Sequence, residues 1–283
     1  MNSTPNVSRK HFRLSFKWLV YLVLALGAAS MLIPFLWSVV TSLKMPNEVF
    51  STPVYKIDWP LNFQAYTEMI QKLPFLTYAL NTVKVAGLIT IGQLFTCSLA
   101  GYAFAKIKFP GREFLFMVFL VTMMVPSAVT MIPNFIIMSK LKLVDTHAGL
   151  ILPFIGSAYG TFLMRQFFLS FPSELEDAAK LDGCNPLTFF WHILLPNSKP
   201  IMATLGLMTF QWAWNEFQWA LIMIRTDGNR TLQVGLSALQ NEHYINWTLL
   251  MAASVLTNLP IIILFILAQK QFVESIKMTG LKG

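Results

Sequence analysis

Charge-free apolar runs, each long enough for a helix to cross a hydrocarbon core of about 30 Å or nearly so, alternate with short polar intervals along most of this chain. The first run covers residues 18–43. A second covers 85–105, with Asn81, Thr82 and Lys84 extending the helix and Lys84 reaching toward the headgroups. The third, 114–139, holds Pro126 and Pro133, which remove backbone donors and predict a bend or break where neighbouring protein satisfies the freed groups. Such a bend serves a pathway or plain packing, and spacing does not choose between them. A fourth, shorter run covers 146–164 and ends where Arg165 marks a return to water. The fifth opens at Pro200 and stays uncharged until Glu216, and the sixth lies within 243–269 around Pro260. The pattern predicts an all-α, polytopic membrane protein with six transmembrane helices. Between the first two spans, 44–74 is too polar for lipid and predicts short interfacial turns.

One interval differs from the other polar connections. PSELEDAAKLDGCNPLTFFWHILLPNSKP, residues 172–200, reads as two capped helices. Ser173 followed three residues later by Glu176 is a capping-box pattern, which starts a helix of about nine residues at Glu174. Leu175, Ala178 and Ala179 share one face, and Gly183 supplies the left-handed residue that ends the helix. Asn185 then caps a second helix with Pro186 at its first position. There Leu187, Phe190, Trp191 and Leu194 recur at helical spacing. A pair this short does not bury two apolar faces by itself. It lies either on its own protein's membrane-facing end or in a groove of a partner.

Composition agrees with the pattern. Hydrophobic residues make up 55% and charged residues 12% of 283, and the mean hydropathy is +0.57, too apolar for an ordinary soluble domain. The net charge of +8 needs no nucleic acid, because basic loops beside anionic lipid give the same excess. Thirteen Lys and Arg fall in segments assigned to the cytoplasm and seven in outer loops, which places both termini in the cytoplasm. Residues 1–17 form a basic cytoplasmic segment, and 18–283 a single transmembrane domain whose polar hairpin, 171–200, lies between helices 4 and 5. The first apolar run is too long for a cleavable signal sequence. Cys97 and Cys184 are too few for a disulfide framework.

The chemistry of an enzyme is missing. His11, His147, His192 and His243 show no metal-protease spacing, and neither a nucleophile elbow nor a phosphate-binding GxxxxGK[ST] loop occurs. Any nucleotide that powers this chain is held by another. The densest polar and aromatic cluster within the spans runs from Gln211 to Trp219. Trp214, Asn215 and Glu216 are its candidate substrate-pathway residues, the latter two about 22 Å along the fifth helix. An ionised side chain in lipid costs on the order of 2.5 to 3.5 kcal/mol, so Glu216 faces protein or water. A gate contact and an outer aromatic belt both remain open for this cluster.

The interval 172–200 resembles the EAA loop of binding-protein-dependent ABC importer permeases. That loop reads EAA, three residues, Gly, nine residues, then I-x-L-P, and Asp177, Ala178, Ala179, Gly183, Ile193, Leu195 and Pro196 match it in register. Asp177 stands where the motif has Glu, with Glu176 just before it. LAGYAFAKIKFPGR at 99–112, WNEFQWALI at 214–222, TLQVGL at 231–236, MAASVL at 251–256 and the closing GLKG resemble the smaller subunit of maltose-type carbohydrate permeases.

The resemblance implies a heterodimer with a second permease subunit, two copies of an ABC ATPase subunit and an extracytoplasmic sugar-binding protein, in a prokaryotic inner membrane. This chain binds no cofactor on that view, and ATP and Mg²⁺ sit on the ATPases. Glu176, Asp177, Ala178, Ala179, Asp182, Gly183, Asn185, Phe190, Ile193, Leu195 and Pro196 become a coupling hairpin seated on the ATPase. The cargo implied is an oligosaccharide or disaccharide, with glycerol-3-phosphate or a related polyol ester as the alternative. The reading from another class is a self-contained secondary transporter whose Glu216 carries protons.

Overall fold

The computed structural model describes residues 8–53, 55–56, 59–239 and 246–280, and among these every regular element is helical. Residues 1–7 and 281–283, and the expected start of the sixth span at His243, lie outside the described residues. The chain divides into two compact units, one built from the segment up to Lys72 with Leu239–Thr257, the other from Leu73–Ala238 with the segment from Asn258 onward.

In the first unit, α1 (Ser8–Ser42) carries an apolar segment, Lys17–Ser42, whose most apolar stretch is exposed along its whole length, with Thr41 and Ser42 buried at its end. The connection that follows is more ordered than the expected interfacial turns. It contains α2 (Gln64–Lys72), an amphipathic helix that buries Ala65 and Met69. Tyr66 and Ser42 hydroxyls meet at 2.7 Å, and Lys44 Nζ donates to Thr52 Oγ1 at 3.0 Å and the Pro53 carbonyl at 2.8 Å.

The second unit is organised around α3 (Phe75–Lys106), which begins ten residues before the expected uncharged run. Tyr78, Thr82, Val85, Ile89, Gln93, Cys97, Gly101 and Ala105 are buried along it, a stripe at helical spacing. Against this stripe pack α4 (Arg112–Val121), α6 (His147–Ile151), α7 (Ala158–Leu169) and α10 (Lys199–Trp214), and α5 (Ser127–Lys140) adds Met138 to the same core. Between α7 and α10 lie α8 (Ser173–Leu181) and α9 (Pro186–Phe189). After α10 come α11 (Gln218–Met223), α12 (Leu232–Ser237) and α13 (Trp247–Gly280), the last continuing through both units.

The expected bend at Pro126 is present. A 3₁₀ turn, Thr122–Met124, leads to Val125, which is extended, and the helices on either side differ by 101°. Pro133, by contrast, sits inside α5 without breaking it. A second break, of 44°, separates α6 with its 3₁₀ extension Leu152–Phe154 from α7. Carbonyls released there must find donors inside the protein. Gln93 Nε2 donates to Phe154 O at 2.9 Å, Thr96 Oγ1 to Ile155 O at 2.6 Å, and the Cys97 thiol meets Ser157 O at 3.5 Å. The polar residues of α3 therefore support a broken helix beside them.

Three described helices are long and apolar enough to cross a membrane, and the two bent pairs raise this to five. The expected fifth span falls short because α10, at 16 residues, ends at Trp214 and the chain turns through Asn215–Phe217 before α11. The fourth run also departs from expectation. Arg165 does not end it, and α7 continues to Leu169. Arg165 is 8% exposed, and its guanidinium donates through Nη2 to both Glu113 carboxylate oxygens at 2.9 and 2.8 Å and through Nε to Phe104 O at 3.1 Å, and lies 4.1 Å from the Phe116 ring centre. Paired and hydrogen-bonded, the charge stays inside the helix packing. Arg165→Ala is expected to cost about 1 to 2 kcal/mol of stability, through the lost donor at Phe104 O and the lost contact with the Phe116 ring, since Glu113 is mostly exposed and keeps its pairing with Arg112. Denaturant unfolding of the detergent-solubilised variant measures this, and a cost under about 0.5 kcal/mol contradicts it.

At the other end of α3, the turn after α5 is clasped to the loop after α11. The Asp145 carboxylate accepts from the hydroxyl of Thr226 and from the backbone N–H groups of Thr226 and Arg225, and these bonds hold its pKa down to about 2. Tyr78 OH donates to Asp227 at 2.8 Å, and Asn81 Nδ2 to the Gly228 and Arg230 carbonyls. A carboxylate whose pKa is lowered on folding contributes stability that is complete above its unfolded pKa, about 4, and disappears as pH falls toward about 2. The thermal midpoint is therefore expected to drop between those values. Asp145→Asn should flatten this part of the profile, and an unchanged acid slope in the variant would exclude the clasp as its source.

Candidate functional site

The polar interval forms the helical hairpin that Gly183, Asn185 and Pro186 predict. α8 is nine residues long. Gly183, at φ +80°, closes it as a Schellman motif, with Cys184 N–H donating to Ala179 O at 2.9 Å and Gly183 N–H to Lys180 O at 3.0 Å. Asn185 Oδ1 accepts from Thr188 N–H at 2.8 Å, with Pro186 at the first position of α9.

Two details differ from expectation. Ser173 is the first helical residue after Pro172 and makes no side-chain cap. Glu176 does not turn back toward it, because Lys106 at the end of α3 offers a full charge: the two meet at 3.0 Å, and Lys180 meets the other carboxylate oxygen at 3.1 Å. Partial burial pushes the Glu176 pKa up, but the hydrogen bonds and charges of Lys106 and Lys180 outweigh it and hold the carboxyl below its usual value.

The second difference is one of register. After α9 the chain enters a π-helical turn, Phe190–Leu194, in which Leu195 N–H reaches back five residues to Phe190 O at 2.9 Å. Phe189, Phe190 and Leu194 are buried, whereas Leu187 and Trp191, expected on one face with Phe190 and Leu194, are exposed. On α8 only Ala179 is buried, and Leu175 and Ala178 face outward.

The hairpin is consequently two-faced. Inward, Ala179, Phe189, Phe190 and Leu194 join Cys97, Tyr102, Ala105, Met164 and Phe168 in one apolar cluster. Tyr102 lies 5.1 Å from the Phe190 ring and donates its hydroxyl to Pro186 O at 2.9 Å. Outward, Leu181 is 90% and Leu187 64% exposed. Asp177, paired with Lys180 at 3.3 Å, shares the exposed surface with Asp182, Gly183, Asn185 and Pro196, while Ile193 and Leu195 are half-buried. Sequence reading missed Tyr102 and Lys106 as anchors. Their signal was a tyrosine and a lysine one helical turn apart on α3, just before a tight basic turn.

Trp214, Asn215 and Glu216 come together at the break between α10 and α11. Trp214 is 1% exposed and stacks on Phe210. Asn215 Nδ2 donates to Gln211 O at 2.8 Å, and its Oδ1 accepts from Gln233 at 3.2 Å. Glu216 Oε1 accepts from Trp219 N–H at 2.8 Å and so caps α11. Among the described residues no group of His, Cys, Asp or Glu has the arrangement of a metal site.

Apolar helices broken inside the bundle, with a capped polar hairpin between two of them, define a membrane-embedded permease. The chain belongs to the family of binding-protein-dependent transport system inner membrane components, whose pattern matches residues 97–278. It is 37% identical over 209 residues to the arabinooligosaccharides transport system permease protein AraQ of Halalkalibacterium halodurans, covering 74% of this chain and 75% of that one. It is 32% identical over 262 residues to the sn-glycerol-3-phosphate transport system permease protein UgpE of Salmonella typhimurium, covering 90% and 93%. Its fold matches a chain in the crystal structure of a bacterial ABC transporter involved in the import of the acidic polysaccharide alginate, with TM-score 0.81 and 28% identity over 95% of this chain and 100% of that one.

Proposed function

We propose that this chain is one of two permease subunits of an ABC importer that takes up oligosaccharides delivered by an extracytoplasmic sugar-binding protein. Two ATPase subunits, holding ATP and Mg²⁺, dock on the hairpin from the cytoplasm. In this reading residues 18–283 make one permease domain with six crossings, α10 and α11 together forming the fifth, and both termini lie on the cytoplasmic side of a prokaryotic inner membrane.

The observation that carries the reading is the two-faced hairpin. The Gly183 closure and the Asn185 cap make its turn rigid, and Lys106–Glu176 and Tyr102–Pro186 fix it to the end of α3. Leu175, Leu181 and Leu187 are left outward as an apolar face for a partner groove. A rigid element held this way moves α3 when its partner moves, which a rigid-body switch requires. The relatives that transport arabinooligosaccharides and alginate support a glycan cargo. The UgpE relatives, which match more of the chain, support sn-glycerol-3-phosphate as the second reading.

Proteoliposomes holding both permeases and the ATPase, with the binding protein added on the outside, distinguish these readings. Uptake of labelled arabino-oligosaccharide that requires ATP and the binding protein is expected. Uptake by this chain alone, or uptake driven by a proton gradient, would replace the importer with a secondary transporter. In that case Glu216 would have to release its Trp219 cap to carry a proton.

A further inference from the structure

A cavity of about 360 Å³ opens beside the break between α6 and α7, walled by α3, the first turn of α7 and α10. This is at the small end of the volumes that hold small-molecule ligands, roughly 300 to 1,000 Å³. Gln93, 8% exposed, lies at its back. Its Nε2 donates to Phe154 O and its Oε1 accepts from Thr209 Oγ1, each at 2.9 Å. These bonds fix the orientation of the amide and, among the described residues, leave one N–H and one lone pair unused. At the mouth are Tyr159, 40% exposed, and Trp212, 43% exposed. Trp212 meets Phe154 edge to face at 4.9 Å, and Phe154 in turn meets Trp219 at 6.1 Å, so the indole is braced before any ligand arrives. Among the described residues the Tyr159 hydroxyl has one partner, the Met208 sulfur at 3.9 Å, a weak acceptor that a ligand oxygen displaces readily.

We infer that this cavity is a contact site for one uncharged sugar ring of the transported oligosaccharide: its C–H face lies on Trp212 and its hydroxyls meet Gln93, Thr209 and the Tyr159 hydroxyl. Two half-exposed aromatic rims and an amide back wall suit a ligand that is apolar on one face and hydroxylated around its edge. The described residues lining the cavity are all uncharged. Bringing a phosphate or carboxylate here would strip its water without a counter-charge, which favours a neutral glycan over a glycerol phosphate or an acidic sugar. The inference rests on the importer reading and narrows it: the site lies on this permease, and the sugar it takes is neutral.

The test uses the complete transporter in proteoliposomes, measuring uptake of labelled arabino-oligosaccharide together with ATP hydrolysis stimulated by the liganded binding protein. Trp212→Ala and Gln93→Leu are expected to reduce uptake about tenfold or more while stimulated hydrolysis persists. Trp212→Phe, which keeps an aromatic face, is expected to restore most of it. Labelling of Met208→Cys by a small thiol reagent during turnover should slow in the presence of the oligosaccharide and not of sn-glycerol-3-phosphate. The inference is overturned by Ala and Leu variants that transport normally, by a Phe variant as impaired as Ala with hydrolysis lost in step, or by protection from the phosphate ester alone. Absence of ATP-driven uptake of any solute by the unsubstituted complex would overturn the importer reading itself, and the sugar site with it.

Discussion

Gly149→Ala is expected to lower the stability of the solubilised protein by about 3 kcal/mol, the upper end of the usual cost of overpacking. A Cβ at Gly149 would stand 2.3 Å from the Leu143 carbonyl oxygen and 2.5 Å from Met223 Cε. The methionine end can swing away; a backbone carbonyl cannot. Leu143 O also accepts from Thr146 Oγ1 at 2.7 Å, and the Thr146 hydroxyl in turn accepts from Gly149 N–H at 3.2 Å. Moving the carbonyl therefore loosens the cap of α6. Gly149 O is the acceptor for the Trp219 indole at 3.1 Å, so the disturbance reaches α11 as well. Gly87→Ala is the control: no described residue lies within 4 Å of a Cβ there, and inside α3 the variant should be no less stable than the parent. Equal losses in the two variants, read from denaturant unfolding, would show that the close approach at Gly149 is not the cause.

Gly183→Val is expected to leave membrane insertion and yield unchanged and to reduce ATP-driven uptake roughly tenfold or more. No described residue lies within 4 Å of a Cβ at Gly183, so crowding is not the reason. The residue sits at φ +80°, where a β-branched side chain is strained by on the order of 1–2 kcal/mol, enough to shift a two-state local equilibrium by about tenfold. Relieving that strain releases the Cys184 and Gly183 N–H groups from Ala179 O and Lys180 O, and with them the angle at which α9 leaves α8. Gly183→Asn, which tolerates the left-handed region, should fall between the two. If the hairpin transmits motion, hydrolysis by the ATPases will continue in the valine variant while uptake falls. Normal uptake in Gly183→Val would mean that the hairpin's geometry is not what couples them.

Much of this was legible because the signals are local. Gly183, Asn185 and Pro186 are conformational requirements carried by single residues, and each occupies the role its type predicts. Pro126 breaks a helix because the residue before a proline is pushed to extended geometry. The expectation for Arg165 failed because its partner, Glu113, lies 52 positions away and no local pattern announces it. Glu176 was misassigned for the same reason, since Lys106 outbids a backbone N–H only once α3 and α8 meet. Pro133 was legible as a possible break and is not one, because the rest of α5 carries the helix past it.

The sequence by itself determined the environment of this protein and the punctuation of its helices. The apolar runs require lipid or protein around them, and caps, prolines and a left-handed glycine set where the hairpin begins, turns and ends. Only the tertiary structure decided which side of each element is used. Packing against Tyr102, Met164 and Phe168 put Phe189 inside and left Leu187 and Trp191 out, and the break before α7 gave Gln93 a carbonyl to hold and a cavity to line. Helical periodicity fixes spacing along one element, whereas burial depends on what packs against it, and those neighbours are set by contacts remote in sequence.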